Sequence, residues 1–228
     1  MPRPRAIAAL VAGSLLGCGK PAPAERVGPP DPACALAGLD RAAVPFTLET
    51  TEGPVRCTLD AARAPRAAAM IVALAEGRAA FRDRRGEVER RPYFDDMAFF
   101  RAIAGGLVQT GCAVGDGSGH PGYRIAVESD PEDANRLKRP GALLLARYTP
   151  PPNRADPAPP PPGEVIGTQL VIGLTDMSHL AGKVTVLGAC EDLDVARRLA
   201  ERVAHKERRE RLLHARVGRA SPAPTSCP

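Results

Sequence analysis

Arg101 stands in an otherwise apolar run, MAFFRAI, and Gln109 follows eight residues later, ahead of the glycine-rich segment GDGSGHPGY at 115–123. A guanidinium offers only hydrogen-bond donors and a permanent charge, so the chemistry this pattern suits is the holding of a polar group. If the run is a half-buried strand, an inward arginine costs several kcal/mol unless it finds partners or a ligand. If Arg101 lies on the polar face of that strand, it is an ordinary surface charge. The residues alone leave both readings open.

The elements that must position these side chains are short and mostly extended. FTLET at 46–50 alternates, Glu52-Gly53 supplies a turn and VRCTL at 55–59 returns, which is a hairpin signal. RAAAMIVALAE at 66–76 is alanine-rich and apolar on one side, with Pro65 before it and Gly77 after it, so a helix is expected there. Residues 78–91 are polar and charged and read as a surface loop, while 142–146, 170–173 and 184–187 read as short buried strands. DLDVARRLAERVA at 192–204 sets Leu193, Ala196, Leu199, Ala200 and Val203 at helical spacing behind an acidic start. Residues 206–219 are basic, with Leu212, Leu213 and Val217 apolar; either the helix continues or 211–217 forms a strand. The proline-dense segment 148–163 lacks backbone donors and is no central strand. It is a lid or polyproline ligand beside a groove, or a tolerated loop expansion.

A chain of 228 residues accommodates one ordinary domain plus tails. With aromatics at 4% and no Trp, its core must be built from Val, Leu, Ile and Ala. Residues 1–17, with two arginines and a short apolar run, read as a signal peptide too short to span a bilayer. Leu15-Leu16-Gly17-Cys18 resembles a bacterial lipobox, which makes Cys18 the expected lipidation site. Several acyl chains would anchor the protein stably in the cell envelope, at the periplasmic face of the outer membrane. Residues 18–43 then read as a flexible linker, and 218–228 as a disordered tail. Five further cysteines, Cys34, Cys57, Cys112, Cys190 and Cys227, would lie in an oxidising compartment, where at least one pair is expected and one thiol is left over. No CxxC or HxxxH spacing is present, and no metal site is predicted. Such a location excludes nucleic acid as a partner; the net charge of +5 reads as a solvated basic face, or as contact with anionic lipid or wall polymer.

A family resemblance runs through 44–217. Phe99-Phe100-Arg101, Ile103, Gly105, Val108-Gln109, Gly111, the 115–119 glycine repeat and Pro121-Gly122-Tyr123 resemble the FHR, PGF, QGG, GTGTG and PGY signatures of cyclophilins. Gly167-Thr168-Gln169, His179 to Lys183 and Val186-Leu187-Gly188 resemble the later GSQFF, HLDGKH and VFG segments. The resemblance implies a mainly β fold, a closed antiparallel eight-stranded barrel with two flanking helices, in which barrel closure makes Cys57–Cys190 the preferred pair and 211–217 the closing strand. It implies a peptidyl-prolyl cis-trans isomerase that needs no metal or cofactor and acts as a monomer on proline-containing extended polypeptides. Arg101 is then the catalytic group, with substrate contacts at Phe99, Leu107, Gln109, Ala146, Gln169, Val171, His179 and Leu180. The pattern departs from the family where the proline ring should sit: Gly106 and Val171 replace phenylalanines, Val184 a histidine and Arg147 an asparagine. Two function classes follow, an isomerase of envelope proteins or a peptide-binding, chaperone-like module with little turnover.

Overall fold

The structure is a computed structural model that describes residues 27–147, 164–206, 209–220, 225 and 227. The signal segment with Cys18 and the proline-dense segment 148–163 lie outside the described residues.

Strands β1 (Val44–Thr50) and β2 (Gly53–Leu59) form the expected hairpin, with Phe46 opposite Cys57 and Thr50 opposite Gly53. Helix α1 (Pro32–Ala35) precedes them, and helix α2 (Pro65–Ala75) follows. Pro65 occupies the first turn of α2, where its missing N–H has no intrahelical partner to lose. The helix has no cap from its own chain start; instead Glu128 accepts from the backbone N–H groups of Arg66 (3.1 Å) and Ala67 (2.8 Å). Every residue from Ala67 to Ala75 is buried, so α2 is apolar nearly all round rather than on one side. The predicted surface loop 78–91 is partly interior: Arg78, Ala79, Ala80 and Phe81 are buried, and β3 (Phe81–Arg82) pairs with β4 (Val88–Glu89) around an exposed turn.

The remaining strands are β5 (Met97–Ala98), β6 (Arg101–Ile103), β7 (Leu107–Thr110), β8 (Arg124–Ala126), β9 (Ala142–Leu145), β10 (Glu164–Ile166), β11 (Leu170–Gly173), β12 (Thr185–Cys190) and β13 (Arg211–Val217). Between them lie the short helix α3 (Asp133–Leu137) and helix α4 (Leu193–Ala204), which buries Ala196, Leu199 and Ala200 as its spacing predicts. One curled antiparallel sheet runs in the order β5-β13-β1-β2-β12-β9-β11-β7-β6. Arg211–Val217 is thus a strand, laid against β1.

This sheet corrects the expectation of a closed eight-stranded barrel. Its two edge strands, β5 and β6, are consecutive in the chain and separated only by Phe99 and Phe100. At that point the chain stops pairing with β13 and starts pairing with β7: Phe99 N–H donates to the Glu210 carbonyl, and Phe100 N–H to the Gln109 carbonyl. Phe100 and Arg101 both face Gln109, a two-against-one arrangement that breaks the ladder as a bulge does. What would be one closing strand becomes two, so the sheet counts nine strands and is joined by the chain rather than by hydrogen bonds.

Alternation splits the apolar residues between two faces. Val108, Leu143, Leu145, Leu170, Ile172 and Leu187 enter the main core with α2, while Leu107, Leu144, Val171 and Val186 enter a second cluster with Met177 and Val184.

The chain ends also fold against this body, which corrects the reading of a mobile linker and a disordered tail for the described part of each. Cys34 and Cys227 form a disulfide, Ala35 and Leu36 are buried, and Arg78 and Arg219 both pair with Glu76 and donate to the Ala35 carbonyl. Cys57 and Cys190, neighbours across β2 and β12, form the second disulfide, and Cys112 remains free and buried.

Candidate active site

The site is laid down by register. Arg101 lies opposite Gln109, Gln109 opposite Val171, Val171 opposite Leu144, and Leu144 opposite Val186, so one row crosses β6, β7, β11, β9 and β12. Cross-strand neighbours point to the same face, which places the arginine and the glutamine beside the apolar residues of the second cluster. Gln169 and Ala146, two residues along from Val171 and Leu144, share that face by the same period.

Hydrogen bonds link the polar members into a relay. Arg101 Nη1 donates to Gln109 Oε1 (3.3 Å), and Gln109 Nε2 donates to Gln169 Oε1 (2.8 Å). Gln169 Nε2 donates in turn to the carbonyls of Gly117 (2.7 Å) and Gly119 (3.3 Å). Both glutamines are buried, at 4% and 3% exposure, so these bonds fix their orientation at little competition from water. Arg101 is solvent-facing and spends one of its five donors on Gln109; the others are open to a bound molecule.

The glycine-rich loop that ends the relay is organised by Cys112. Its sulfur accepts from the backbone N–H groups of Gly115 (3.3 Å), Gly117 (3.2 Å) and Gly119 (3.2 Å). Gly111 just before it has φ +85°, and a Cβ there would stand 1.9 Å from the Thr168 carbonyl oxygen, so only glycine permits β7 to pass this close to the start of β11.

Beside the relay opens an apolar cavity of about 270 Å³ lined by Arg101, Leu107, Gln109, Leu144, Ala146, Arg147, Val171, Met177, Leu180, Lys183 and Val184. Of the predicted site residues, Arg101, Leu107, Gln109, Ala146, Val171 and Leu180 meet there, and Gln169 stands behind Gln109. Two do not. Phe99 is buried in the main core, on the other side of the bulge from Arg101. His179 is exposed in the 3-10 turn Ser178–Leu180 and reaches the site only through its carbonyl, which accepts from Lys183 Nζ (3.2 Å). Leu144 and Met177 were missed as site residues, since a buried-strand run carries no mark of which side chains face a groove. Among the described residues no aromatic ring lines the cavity; at Gly106, a Cβ would meet Ile103 Cγ2 at 3.0 Å. Two larger clefts, of about 530 and 570 Å³, carry ion pairs in their walls, Arg136–Asp60 in the first and Arg91–Glu89 in the second.

A curled antiparallel sheet thus carries an exposed arginine, held by buried glutamines, at the edge of an apolar cavity. The family model described as "Cyclophilin type peptidyl-prolyl cis-trans isomerase/CLD" matches residues 45–217, and the chain belongs to that family. It is 29% identical over 149 residues to a probable peptidyl-prolyl cis-trans isomerase A of Mycobacterium leprae, covering 65% of this chain and 74% of the relative. It is likewise 29% identical over 143 residues to peptidyl-prolyl cis-trans isomerase B of Streptomyces anulatus, covering 62% and 73%. Among solved structures, a cyclophilin type peptidyl-prolyl cis-trans isomerase of Cryptosporidium parvum shares the fold at a TM-score of 0.60 and 18% identity, over 79% of this chain and 99% of the other.

Proposed function

We propose that this protein is an active prolyl isomerase that assists the folding of envelope proteins, with Arg101 as its catalytic residue. Amide resonance sets a rotation barrier of about 18–20 kcal/mol, so the catalyst must favour a twisted, pyramidal prolyl nitrogen. A guanidinium donating to that nitrogen bonds a lone pair that is available only once resonance is broken, which makes the contact selective for the transition state. Gln109 holds Arg101 in place, and Gln169 holds Gln109 against the glycine loop. Leu107, Leu144, Val171, Met177 and Leu180 receive the proline ring, and the Ala146 backbone runs beside the peptide. No group in this scheme transfers a proton or forms a covalent bond.

The observation that carries this reading is the Arg101–Gln109–Gln169 relay set at the edge of an apolar cavity. A Cryptosporidium parvum relative of the same fold has been solved in the presence of the dipeptide ala-pro, which suits a proline-sized cavity. Among the described residues only aliphatic side chains and Met177 supply the cavity's apolar wall, which favours the second reading, a module that holds extended peptides with little turnover. Turnover of a prolyl peptide decides between them: catalysis above the spontaneous rate supports the isomerase, and binding without catalysis supports the module.

The protein works as a monomer tethered through lipid on Cys18 at the periplasmic face of the outer membrane. Two disulfides suit an oxidising compartment. Cys18→Ala moves the protein from the membrane to the soluble fraction if this is right, and an unchanged membrane fraction contradicts it.

A further inference from the structure

The cavity rim carries charge of one sign. Arg101, Arg147 and Lys183 line it, and among the described residues no carboxylate does. Elsewhere on the described surface arginines are commonly matched to acids, as in Arg56–Asp192, Arg63–Asp130, Arg66–Glu128 and Arg136–Asp133. At the groove the cations have only uncharged partners: Arg101 donates to a carboxamide and Lys183 to the His179 carbonyl, while Arg147 is exposed beside Ala146. Cations gathered round an otherwise apolar cavity repel one another and gain by the arrival of an anion.

Resting on the isomerase reading above, we propose that this groove selects prolyl peptides with aspartate or glutamate within two residues of the proline. Arg147 and Lys183 are the specificity-determining residues. A cavity of about 270 Å³ is about 8 Å across if spherical, comparable to the Debye length of about 8 Å at physiological salt. A residue spans at most about 3.3–3.6 Å of extended chain, so side chains one or two positions from a seated proline lie within reach of both cations. Their charge therefore acts little screened on those positions and hardly at all on more distant ones. The same field disfavours lysine or arginine beside the proline.

The test is a protease-free measurement by exchange NMR, on the full chain, with peptides that carry Glu, Ala or Lys on either side of one proline. The kcat/KM should fall in the order Glu, Ala, Lys, with Glu about three- to tenfold above Ala, the range expected of two exposed ion pairs, and the ratio should shrink towards one in 1 M salt. The double variant Arg147→Ala with Lys183→Ala should remove most of the ratio, and Lys183→Glu should favour the lysine peptide. Arg197→Ala, on the exposed face of α4 where Arg197 pairs with Asp194, should leave the ratio as it is. Equal turnover of the three peptides, or a preference that survives the double variant or high salt, overturns the proposal while leaving the isomerase reading intact. Turnover of none of them overturns both.

Discussion

Replacing Cys34 and Cys227 together by serine should cost this protein about 4 kcal/mol of stability. The disulfide closes a loop of 193 residues, but the Cys57–Cys190 bond already closes 133 of those inside it, which leaves about 60 to be constrained in the unfolded chain. The chain-entropy relation for a loop of about 60 residues gives about 4 kcal/mol at room temperature, with the inner bond intact. The native clasp around the disulfide is dense. Cys227 N–H donates to the Arg78 carbonyl (3.2 Å), Arg78 Nη2 donates to the Ala35 carbonyl (2.8 Å), and Arg219 reaches both the Ala35 (2.7 Å) and Ala37 (2.6 Å) carbonyls. Arg78 and Arg219 share Glu76, so loosening either chain end leaves buried charge less well paired. The chain has no Trp, which makes far-UV circular dichroism the probe of choice for denaturant unfolding. The variant should unfold at clearly lower denaturant than the oxidised protein, and reduction of the wild type should lower the midpoint further because both bonds are lost. Coincident unfolding curves for the variant and the oxidised wild type would refute the reasoning.

Three further outcomes are expected. Burial raises the phenols of Tyr93 and Tyr123 above the ordinary tyrosine value, so the folded state holds these protons more tightly than the unfolded state does. Stability is then complete below about pH 10 and falls by about 1.4 kcal/mol per pH unit per tyrosine above it, measurable as denaturation midpoints across alkaline pH. Tyr123→Phe should reduce that slope and leave stability at neutral pH equal or higher, because the buried Tyr123 hydroxyl has no hydrogen-bond partner among the described residues; a loss beyond about 1 kcal/mol in thermal unfolding would contradict this. Cys112→Val should destabilise the glycine loop by about 1–3 kcal/mol and speed amide exchange at Gly115, Gly117 and Gly119, and unchanged exchange at these three would contradict the role of the sulfur.

Much of this molecule was legible in the sequence where local chemistry decides. The β1–β2 hairpin follows from alternation and a turn, α2 from Pro65 and Gly77, and α4 from the spacing of Ala196, Leu199 and Ala200. Arg101, Gln109, Val171 and Leu180 were recognised as a set from ordered motifs, and register brings Arg101, Gln109 and Val171 into one row. Phe99 entered the set of site residues through the resemblance alone; it is buried in the main core, and the bulge at Phe100 separates it from the face that carries Arg101. The same bulge turned the expected closed barrel into a sheet with two edges. The role of 27–43 was hidden because a Pro- and Ala-rich composition reads as a tether, while its burial depends on Cys227, 193 residues away from Cys34. Such a contact leaves no periodic trace.

Catalysis in the proposed scheme rests on a guanidinium at the edge of an apolar groove acting on the prolyl nitrogen. The direct test is kcat/KM for isomerisation of a prolyl peptide by the wild type and by Arg101→Ala, with circular dichroism confirming that the variant is folded. Loss of one preorganised donor to a transition state costs about a hundredfold or more, so the wild type should accelerate isomerisation and Arg101→Ala should lose about that factor. A folded Arg101→Ala protein that isomerises the peptide as fast as the wild type would contradict it.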